Sequence, residues 1–163
     1  MNDRHADAGL YREAMSRLVA AVHVVTTDGA EGRAGFTATA VVSVSDSPPT
    51  LLVCLNRRVT TAPRFHSSGI FAVNMLAGGQ EAVAQAFGGR LGLSLEQRFG
   101  VGEWHAGRLG APVLVGALAS FECRLAEVRT IATHDVLVGR VESVALGASR
   151  EGLAYVGRNY VIV

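Results

Sequence analysis

Hydrophobic and polar positions along the chain predict mostly short strands separated by turns. The most informative stretch runs from Arg33 to Arg57 and predicts two strands joined by a turn at the Ser-Pro-Pro sequence of residues 47–49. Strand side chains point alternately to the two faces of a sheet. One face of the first strand is expected to pack a core and carries Phe36, Ala38, Ala40, Val42 and Val44. The other face suits a flat ligand with a polar tail and carries Gly35, Thr37, Thr39, Val41 and Ser43.

The same pattern predicts the remaining elements. Helical spacing of apolar residues covers residues 10–22, and shorter helices are predicted over 60–67, with Thr60 or Thr61 as cap, and over 80–87. Further strands are predicted over 22–27, 51–55, 70–76, 113–128, 136–146 and the tail 155–163. The strand over 51–55 is apolar without alternation, so it is expected to be covered on both faces. Residues 88–112 hold many glycines and are predicted to form a long loop with short helical turns, a common setting for function.

The order of these elements predicts a mainly β fold. Six or seven strands mostly follow one another, with two or three short helices, so the sheet is expected to be antiparallel. Closing such a sheet into a small barrel removes its exposed edges. A chain of 163 residues fits one domain spanning residues 1–163.

Composition and charge exclude several classes of function. Hydrophobic residues make up 49% and charged residues 18%, which argues against disorder. Fifteen basic and fourteen acidic residues nearly cancel without a basic stripe, so we expect no nucleic-acid partner. No apolar run is long enough to span a membrane, and the polar N-terminus with Asp3, Arg4 and His5 does not resemble a signal peptide. Cys54 and Cys123 are expected to be buried thiols, which favours the cytoplasm.

Several familiar catalytic sites are absent from the sequence. There is no Walker loop, no Cys-x-x-Cys motif and no serine in a nucleophile elbow. Gly100 and Gly102 fail as a dinucleotide fingerprint because His105 occupies the third glycine position. The five histidines lack metal-like spacing, so no metal site is predicted.

The remaining candidate residues are individually ambiguous. Thr37 and Thr39 suit a ligand, although threonine is also common in strands for its propensity alone. Asn56, Thr60 and Thr61 suit a phosphate at a helix start, but an ordinary capped turn has the same composition, and Arg57 and Arg58 are either phosphate ligands or a solvated pair. His134 begins a strand and suits a substrate or nicotinamide contact, although a lone histidine is more often structural. Phe87 and Trp104 suit either a ring-binding pocket or a core.

Taken in order, these residues resemble the short-chain flavin reductase family. The resemblance rests on Gly35-Phe-Thr-Ala-Thr-Ala40, Ser47-Pro-Pro49, Leu55-Asn56 with Thr60-Thr61, Phe71-Ala-Val-Asn-Met-Leu76, Ala86-Phe-Gly-Gly89, Arg98-Phe99, His134-Asp135 with Gly139, and the Tyr155 tail. It covers nearly the whole chain. Thr26-Thr-Asp-Gly29, Phe87-Gly-Gly89 and Thr133-His-Asp135 are similar to the subgroup that serves the bacterial pyrimidine-utilisation (uracil degradation) pathway.

The resemblance implies an antiparallel, Greek-key split β-barrel with a few short helices that binds FMN. It implies a homodimer with one FMN per subunit near the dimer interface. It also implies hydride transfer from NADH to FMN, with reduced FMN delivered to a separate flavin-dependent monooxygenase, although NADPH stays open as the donor.

Carried over by position, the resemblance also implies roles for particular residues. Thr37, Ala38, Thr39 and Ala40 would line the flavin ring and ribityl chain, and Cys54, Leu55 and Asn56 would border the same pocket. Thr60 and Thr61 would hold the phosphate, and Phe87 and Arg98 would close the pocket. His134 would face the nicotinamide as the catalytic residue.

Three alternatives accompany this interpretation. Within the family, the chief alternative is the reductase component of an aromatic hydroxylase of the 4-hydroxyphenylacetate type, which uses the same chemistry with a different oxygenase. Outside enzymes, the same barrel can bind flavin without turnover. A pyridoxamine phosphate oxidase is the weakest alternative, because no basic cluster beyond Arg57 and Arg58 is available for the phosphate of that substrate.

Overall fold

The computed structural model describes residues 6–163, so Asp3, Arg4 and His5 lie outside the described residues. Its helices are α1 (Ala8–Ser16), α2 (Ala62–Ser68), α3 (Glu81–Phe87) and α4 (Leu95–Phe99). Its strands are β1 (Ala20–Ala21), β2 (His23–Thr27), β3 (Ala34–Ala38), β4 (Val41–Asp46), β5 (Pro49–Asn56), β6 (Ile70–Met75), β7 (Trp104–Ala106), β8 (Pro112–Leu114), β9 (Ala119–Ile131), β10 (His134–Leu146), β11 (Leu153–Val156) and β12 (Asn159–Ile162).

A seven-stranded antiparallel sheet with the order β3-β2-β6-β9-β10-β5-β4 forms the body of the protein. Its two edge strands, β3 and β4, follow each other in the chain and are separated only by Thr39 and Ala40. The end of β3 and the start of β4 therefore lie close together, which requires the sheet to curl, and beside them the Ala40 carbonyl accepts a hydrogen bond from the Cys54 N–H at 3.0 Å. The predicted mainly β, antiparallel fold with few helices is confirmed.

The break at Thr39 and Ala40 changes the predicted alternation of the first long strand. Phe36 and Ala38 are buried, as predicted, but Val42 and Val44 are 54% and 56% exposed. Ala40 is also exposed, and Val41 packs against the core instead. The prediction that one continuous face extends to Val44 is wrong, because the chain leaves one edge of the sheet and joins the other within two residues.

Three predicted ranges correspond to different elements. The strand predicted over 113–128 is two strands, β8 and β9, since Gly116 turns the chain with a φ of 73°. The tail is the hairpin β11–β12 rather than one strand, and Gly157 and Arg158 at its turn both have positive φ. The first helix ends at Ser16 rather than near residue 22, and none of its residues is buried. Periodicity alone does not reveal the end of the first helix, because residues 18–22 remain apolar after it.

Two hydrophobic cores lie on opposite faces of β2, whose five residues are all buried. Val25 packs in one core with Phe36, Val53 and Phe65, and Val24 packs in the other with Phe87. Full burial of a side chain of this size contributes roughly 1.5–3 kcal/mol. β2 therefore anchors both the curled sheet and the helices packed against it. In β5, Leu51, Val53 and Leu55 are buried while the residues between them are only half-buried, so its second face is more open than predicted.

The two cysteines are free thiols, as predicted. Cys123 is buried, and burial, followed by the charge of Glu122, raises its pKa to about 12. Cys54 is half-buried on the open face of β5. Between residues 6 and 163, no helix has the length and apolar character needed to cross a bilayer.

Candidate functional site

A cavity of about 620 Å³ opens beside Thr39 and Ala40, where β3 passes into β4. Here it is called the first cavity. It is lined by Phe36, Thr37, Ala38, Thr39, Ala40, Cys54, Asn56, Arg58, Val59, Thr60, Thr61, Phe87, Gly88, Gly89, Leu93, Leu95, Arg98 and His134. These residues come from distant parts of the sequence, and the meeting of β3, β4, β5 and β10 at this point brings them together.

The structure places all but one of the predicted site residues around the first cavity. The exception is Leu55, which is completely buried in the core on the opposite face of β5 from Cys54 and Asn56. Sequence reasoning missed Val59, Leu93 and Leu95. The glycine-rich composition of residues 88–112 indicates a functional loop, but it gives no means of selecting Leu93 and Leu95 within that loop.

The two threonines of the cavity floor have different roles. The Thr37 hydroxyl donates to the Ala84 carbonyl of α3 at 2.7 Å, so its hydrogen already stabilises the contact between strand and helix. Thr39 is exposed in the break between β3 and β4, and its hydroxyl makes no hydrogen bond to any of the residues 6–163. Thr39 is therefore free to donate to a ligand, whereas Thr37 can only accept.

Phe87 forms a rigid wall of the cavity. It is 2% exposed and packs edge-to-face on Phe99 and at a tilt on Trp104, with ring centroids 5.0 and 5.3 Å away. A Cβ atom on Gly35 would lie 2.7 Å from the Phe87 ring, so only glycine at this position lets the ring pack on β3. Trp104 does not line the cavity, and its indole N–H donates to the Val101 carbonyl at 3.0 Å. Trp104 therefore packs on the side of the Phe87 ring that faces away from the cavity.

Hydroxyl and cationic groups lie together along the segment after β5. The Asn56 side-chain oxygen accepts from the Arg58 backbone N–H at 2.9 Å and fixes the turn. Thr61 is the N-cap residue of α2, but its hydroxyl makes no capping hydrogen bond and so stays available. Arg58 lines the cavity, whereas Arg57 lies outside it with Nε 3.9 Å from a carboxylate oxygen of Asp135.

His134 enters the cavity from the first residue of β10. It lies opposite Asn56 in the sheet, and its Nδ1 is 2.9 Å from the Thr133 hydroxyl. Its Nε2 has no hydrogen-bond partner in the described part of the chain. Asp135 is bonded instead to Thr130 at 2.7 Å and to His66 at 3.1 Å, away from the cavity. The imidazole is thus held through one nitrogen and can use the other toward a ligand.

The charges around the first cavity favour an anion. Arg58 and Arg98 are its charged side chains, and no carboxylate lines it among the residues described. Arg98 is held by a hydrogen bond from its Nε to the Leu93 carbonyl at 3.1 Å. Residues 6–163 contain no cluster of three or more histidine, cysteine or acidic side chains suited to a metal. The site suits a planar, anionic ligand and contains no acid–base pair of its own.

Comparisons with known proteins agree with this geometry. The family model described as flavin reductase like domain matches residues 15–163. A protein named FMN reductase (NADH) RutF from Ancylobacter novellus is 54% identical over 150 residues, which cover 92% of this chain and 82% of that protein. The crystal structure of a candidate flavin reductase from Haemophilus somnus 129pt superposes with a TM-score of 0.93 at 37% identity, covering 97% of this chain and 100% of the other. BorF, the flavin reductase component of a bacterial two-component tryptophan halogenase, superposes with a TM-score of 0.88 at 30% identity, covering 96% and 98% of the two chains.

Proposed function

Since the chain belongs to the flavin reductase-like domain family, we propose that it is an NADH-dependent FMN reductase that supplies reduced FMN to a separate monooxygenase. One observation carries the proposal: residues that the resemblance assigns to FMN, although distant in sequence, converge on the first cavity. We take the whole of residues 1–163 as a single domain of this kind and its curled sheet as a split barrel.

The residues of the first cavity fit FMN. Its volume of about 620 Å³ lies within the range of about 300–1,000 Å³ that is common for small-ligand pockets. The segment from Thr37 to Ala40 gives the floor, and Phe87 gives an aromatic wall for the ring. Arg58, with the free hydroxyl of Thr61, is suited to the phosphate, since guanidinium groups form strong charge-assisted hydrogen bonds with phosphate oxygens.

The protein's part in the reaction is to bind FMN and NADH and to orient their rings. When bound, FMN supplies the redox chemistry by accepting a hydride from NADH. Positioning two rings face to face is the contribution expected of the protein in such a reaction, and no side-chain acid or base is needed for it. The floor and the wall at Phe87 fix one ring plane. His134, with Nδ1 held by Thr133, presents Nε2 as a polar contact for the nicotinamide side.

We further propose that two copies associate through an apolar groove of about 390 Å³ near the β1–β2 end of the curled sheet. The groove includes Phe121, Val141 and Val144, and Val144 is 54% exposed. His23 also lines it and has a buried Nδ1 without a hydrogen-bond partner among residues 6–163, and burial lowers the pKa of this histidine. Exposed apolar side chains grouped in one groove favour contact with a second protein surface, although Asp46 and three hydroxyl residues (Ser43, Ser45 and Thr50) also line this groove.

The biological context is also a proposal. The 54% identity to a RutF protein and the Thr133-His-Asp135 motif support a role in pyrimidine catabolism, with the monooxygenase of that pathway as the recipient of reduced FMN. BorF is a reductase component of a two-component system, which supports delivery of reduced flavin to a partner enzyme. Two free thiols are in keeping with a reducing compartment, and we propose the cytoplasm.

Steady-state oxidation of NADH tests the proposal. With FMN at catalytic concentration and oxygen present to reoxidise reduced flavin, we expect continuous NADH consumption far above the protein-free rate. FMN should be preferred to riboflavin because only FMN offers a phosphate to Arg58. Tight FMN binding without NADH oxidation would instead identify a flavin-binding protein without turnover.

A further inference from the structure

A second cavity of about 660 Å³ adjoins the first and has no role in the function proposed above. The two cavities share Thr37, Thr39 and Gly88, so a single ligand can extend from one into the other. The second cavity lies between α3, the loop after it and the C-terminal hairpin β11–β12. Its other lining residues include Glu81, Arg90, Tyr155, Arg158 and Tyr160.

An aromatic pair forms one side of the second cavity. Tyr155 and Tyr160 lie opposite each other on the hairpin, with ring centroids 5.0 Å apart and ring planes at 59°. Both rings are half-buried, so each keeps part of its surface accessible. Half-buried aromatic faces bind heterocyclic bases by stacking. This side of the cavity is therefore suited to a purine.

Two arginines bring positive charge to the cavity. Arg90 follows α3, is exposed and makes no ion pair with any of the residues 6–163. Arg158 pairs with Glu13 of α1 at 2.9 Å and has a φ of 64°, a left-handed conformation that favours glycine. An arginine at such a turn is strained relative to glycine, which is consistent with a use for its side chain. Pyrophosphate oxygens are natural partners for both groups.

One carboxylate, that of Glu81, stands apart from the arginines in the lining. Glu81 lies in the first turn of α3 and accepts a hydrogen bond from the Gln85 amide at 2.8 Å. Burial, followed by Tyr155, raises the pKa of Tyr160, and the charges of Arg90 and Glu81 act on it in opposite directions. Arg90 and Glu81 therefore both lie close enough to the Tyr160 ring for their charges to act on its hydroxyl.

We propose that the second cavity binds the adenosine diphosphate half of NADH and that Glu81 selects NADH over NADPH. The inference rests on the proposed function, because the nicotinamide must reach the flavin in the first cavity and the remainder of the dinucleotide must continue into adjoining space. Tyr155 and Tyr160 stack on the adenine, and Arg90 and Arg158 bind the pyrophosphate. Glu81 accepts from the ribose 2′-hydroxyl, and its charge repels a 2′-phosphate, as acidic residues do in other NAD sites.

A titration that needs no turnover tests the site. Isothermal titration calorimetry of the FMN-loaded protein with ADP-ribose and with 2′-phospho-ADP-ribose should show tighter binding of the former. Glu81→Gln should reduce that preference by about tenfold, the effect expected of one charged hydrogen bond. Arg90→Ala should weaken binding of both probes, and Arg150→Ala, an exposed arginine outside both cavities, should behave as the unmodified protein. Equal affinities for the two probes in the unmodified protein, or no effect of Arg90→Ala, would overturn the proposal.

Kinetics with a shortened donor separate this inference from the proposed function. Reduced nicotinamide mononucleotide carries the hydride but lacks the adenylate, so Arg90→Ala should raise KM for NADH and leave the kinetics with the shortened donor unchanged. An equal rise in KM for both donors in Arg90→Ala would refute an adenylate site. FAD also contains an adenosine diphosphate half, so a KM effect of Arg90→Ala confined to FAD would contradict the assignment to NADH. Failure of the unmodified protein to oxidise either donor would count against the proposed function instead.

Discussion

At the scale of single residues, the polar groups around the first cavity are of two kinds. Some already bond to another group of the protein, and others are available to bond a ligand. The Thr37 hydroxyl donates to α3 at 2.7 Å, whereas Thr39 has no such bond within residues 6–163. Similarly, Arg57 lies beside Asp135 while its neighbour Arg58 lines the cavity. Within each pair, substitution of one residue therefore tests ligand binding, and the same substitution of its neighbour tests the effect on the folded structure.

The two threonines are expected to respond differently to loss of the hydroxyl. Thr39→Val should weaken FMN binding by about two- to tenfold, the equivalent of one neutral hydrogen bond, without changing stability. Thr37→Val should instead lower the free energy of unfolding by about 0.5–1.5 kcal/mol, because the Ala84 carbonyl loses the Thr37 hydroxyl and keeps only the Gly88 N–H as a donor. Flavin fluorescence titration and urea denaturation measure the two effects. Equal FMN affinities of Thr39→Val and the unmodified protein would exclude Thr39 from the site.

His134 is expected to act on the nicotinamide rather than on the flavin. His134→Ala should raise KM for NADH by about tenfold, corresponding to loss of one polar contact, and should leave FMN affinity within about twofold. Stopped-flow reduction of bound FMN and flavin titration measure these quantities. His105→Ala, at an exposed histidine on β7 outside the cavity, is the control. Loss of FMN affinity with unaltered NADH kinetics would reject this assignment.

At the scale of elements, the site depends on how closely α3 approaches β3. The Phe87 ring lies where a side chain on residue 35 would be, and the ring is almost fully buried, so it has little room to move. The Thr37 hydrogen bond to Ala84 joins the same two elements. The wall and the floor of the cavity are thus one packed unit.

Adding a single methyl group between these elements should disturb both stability and binding. Gly35→Ala is expected to destabilise the protein by about 1–3 kcal/mol through overpacking and to weaken FMN binding by displacing Phe87. Gly79→Ala is the matched control, because a Cβ atom there has no neighbour within 4 Å. Thermal denaturation and flavin titration measure the outcome. A Gly35→Ala protein as stable as the control would show that the ring moves aside freely.

The sequence pattern predicts the regular elements near the site well and those at the chain ends poorly. β5, β6 and α3 follow the predicted ranges closely, because glycine or proline marks their ends and their apolar runs face a core. The face through Val42 and Val44 was predicted wrongly, since the change of sheet edge at Thr39 and Ala40 depends on long-range pairing with β2 and β5. The C-terminal hairpin was missed because Arg158 occupies a turn position where glycine is usual.

At the scale of the whole molecule, the residues of the first cavity are scattered along the sequence, and the strand topology brings them together. Family resemblance identified residues from Thr37 to His134, but only the curled sheet explains why they meet. Leu55 shows the limit of transfer by position: it lies between two cavity residues, yet strand alternation directs its side chain into the core. The second cavity was not predicted at all, because Glu81, Arg90 and the two tyrosines carry no recognisable spacing.

Association of two copies is expected to depend on the apolar groove. Val144→Glu should shift the protein toward a monomer in light scattering, because a charge in an apolar interface loses its hydration without a partner. Val115→Glu, which replaces a valine of similar exposure outside the groove, should leave the assembly unchanged. A monomeric unmodified protein, or a Val144→Glu variant with unchanged mass, would contradict this interface.

The central claim is that the first cavity holds FMN by its phosphate. Equilibrium titration of the unmodified protein, Arg58→Ala and Arg57→Ala with FMN and with riboflavin tests it most directly. The unmodified protein and Arg57→Ala should bind FMN at least about tenfold more tightly than riboflavin, as expected of a charge-assisted hydrogen bond, and Arg58→Ala should lose most of that difference. An unchanged preference for FMN in Arg58→Ala, or no preference in the unmodified protein, would contradict the account.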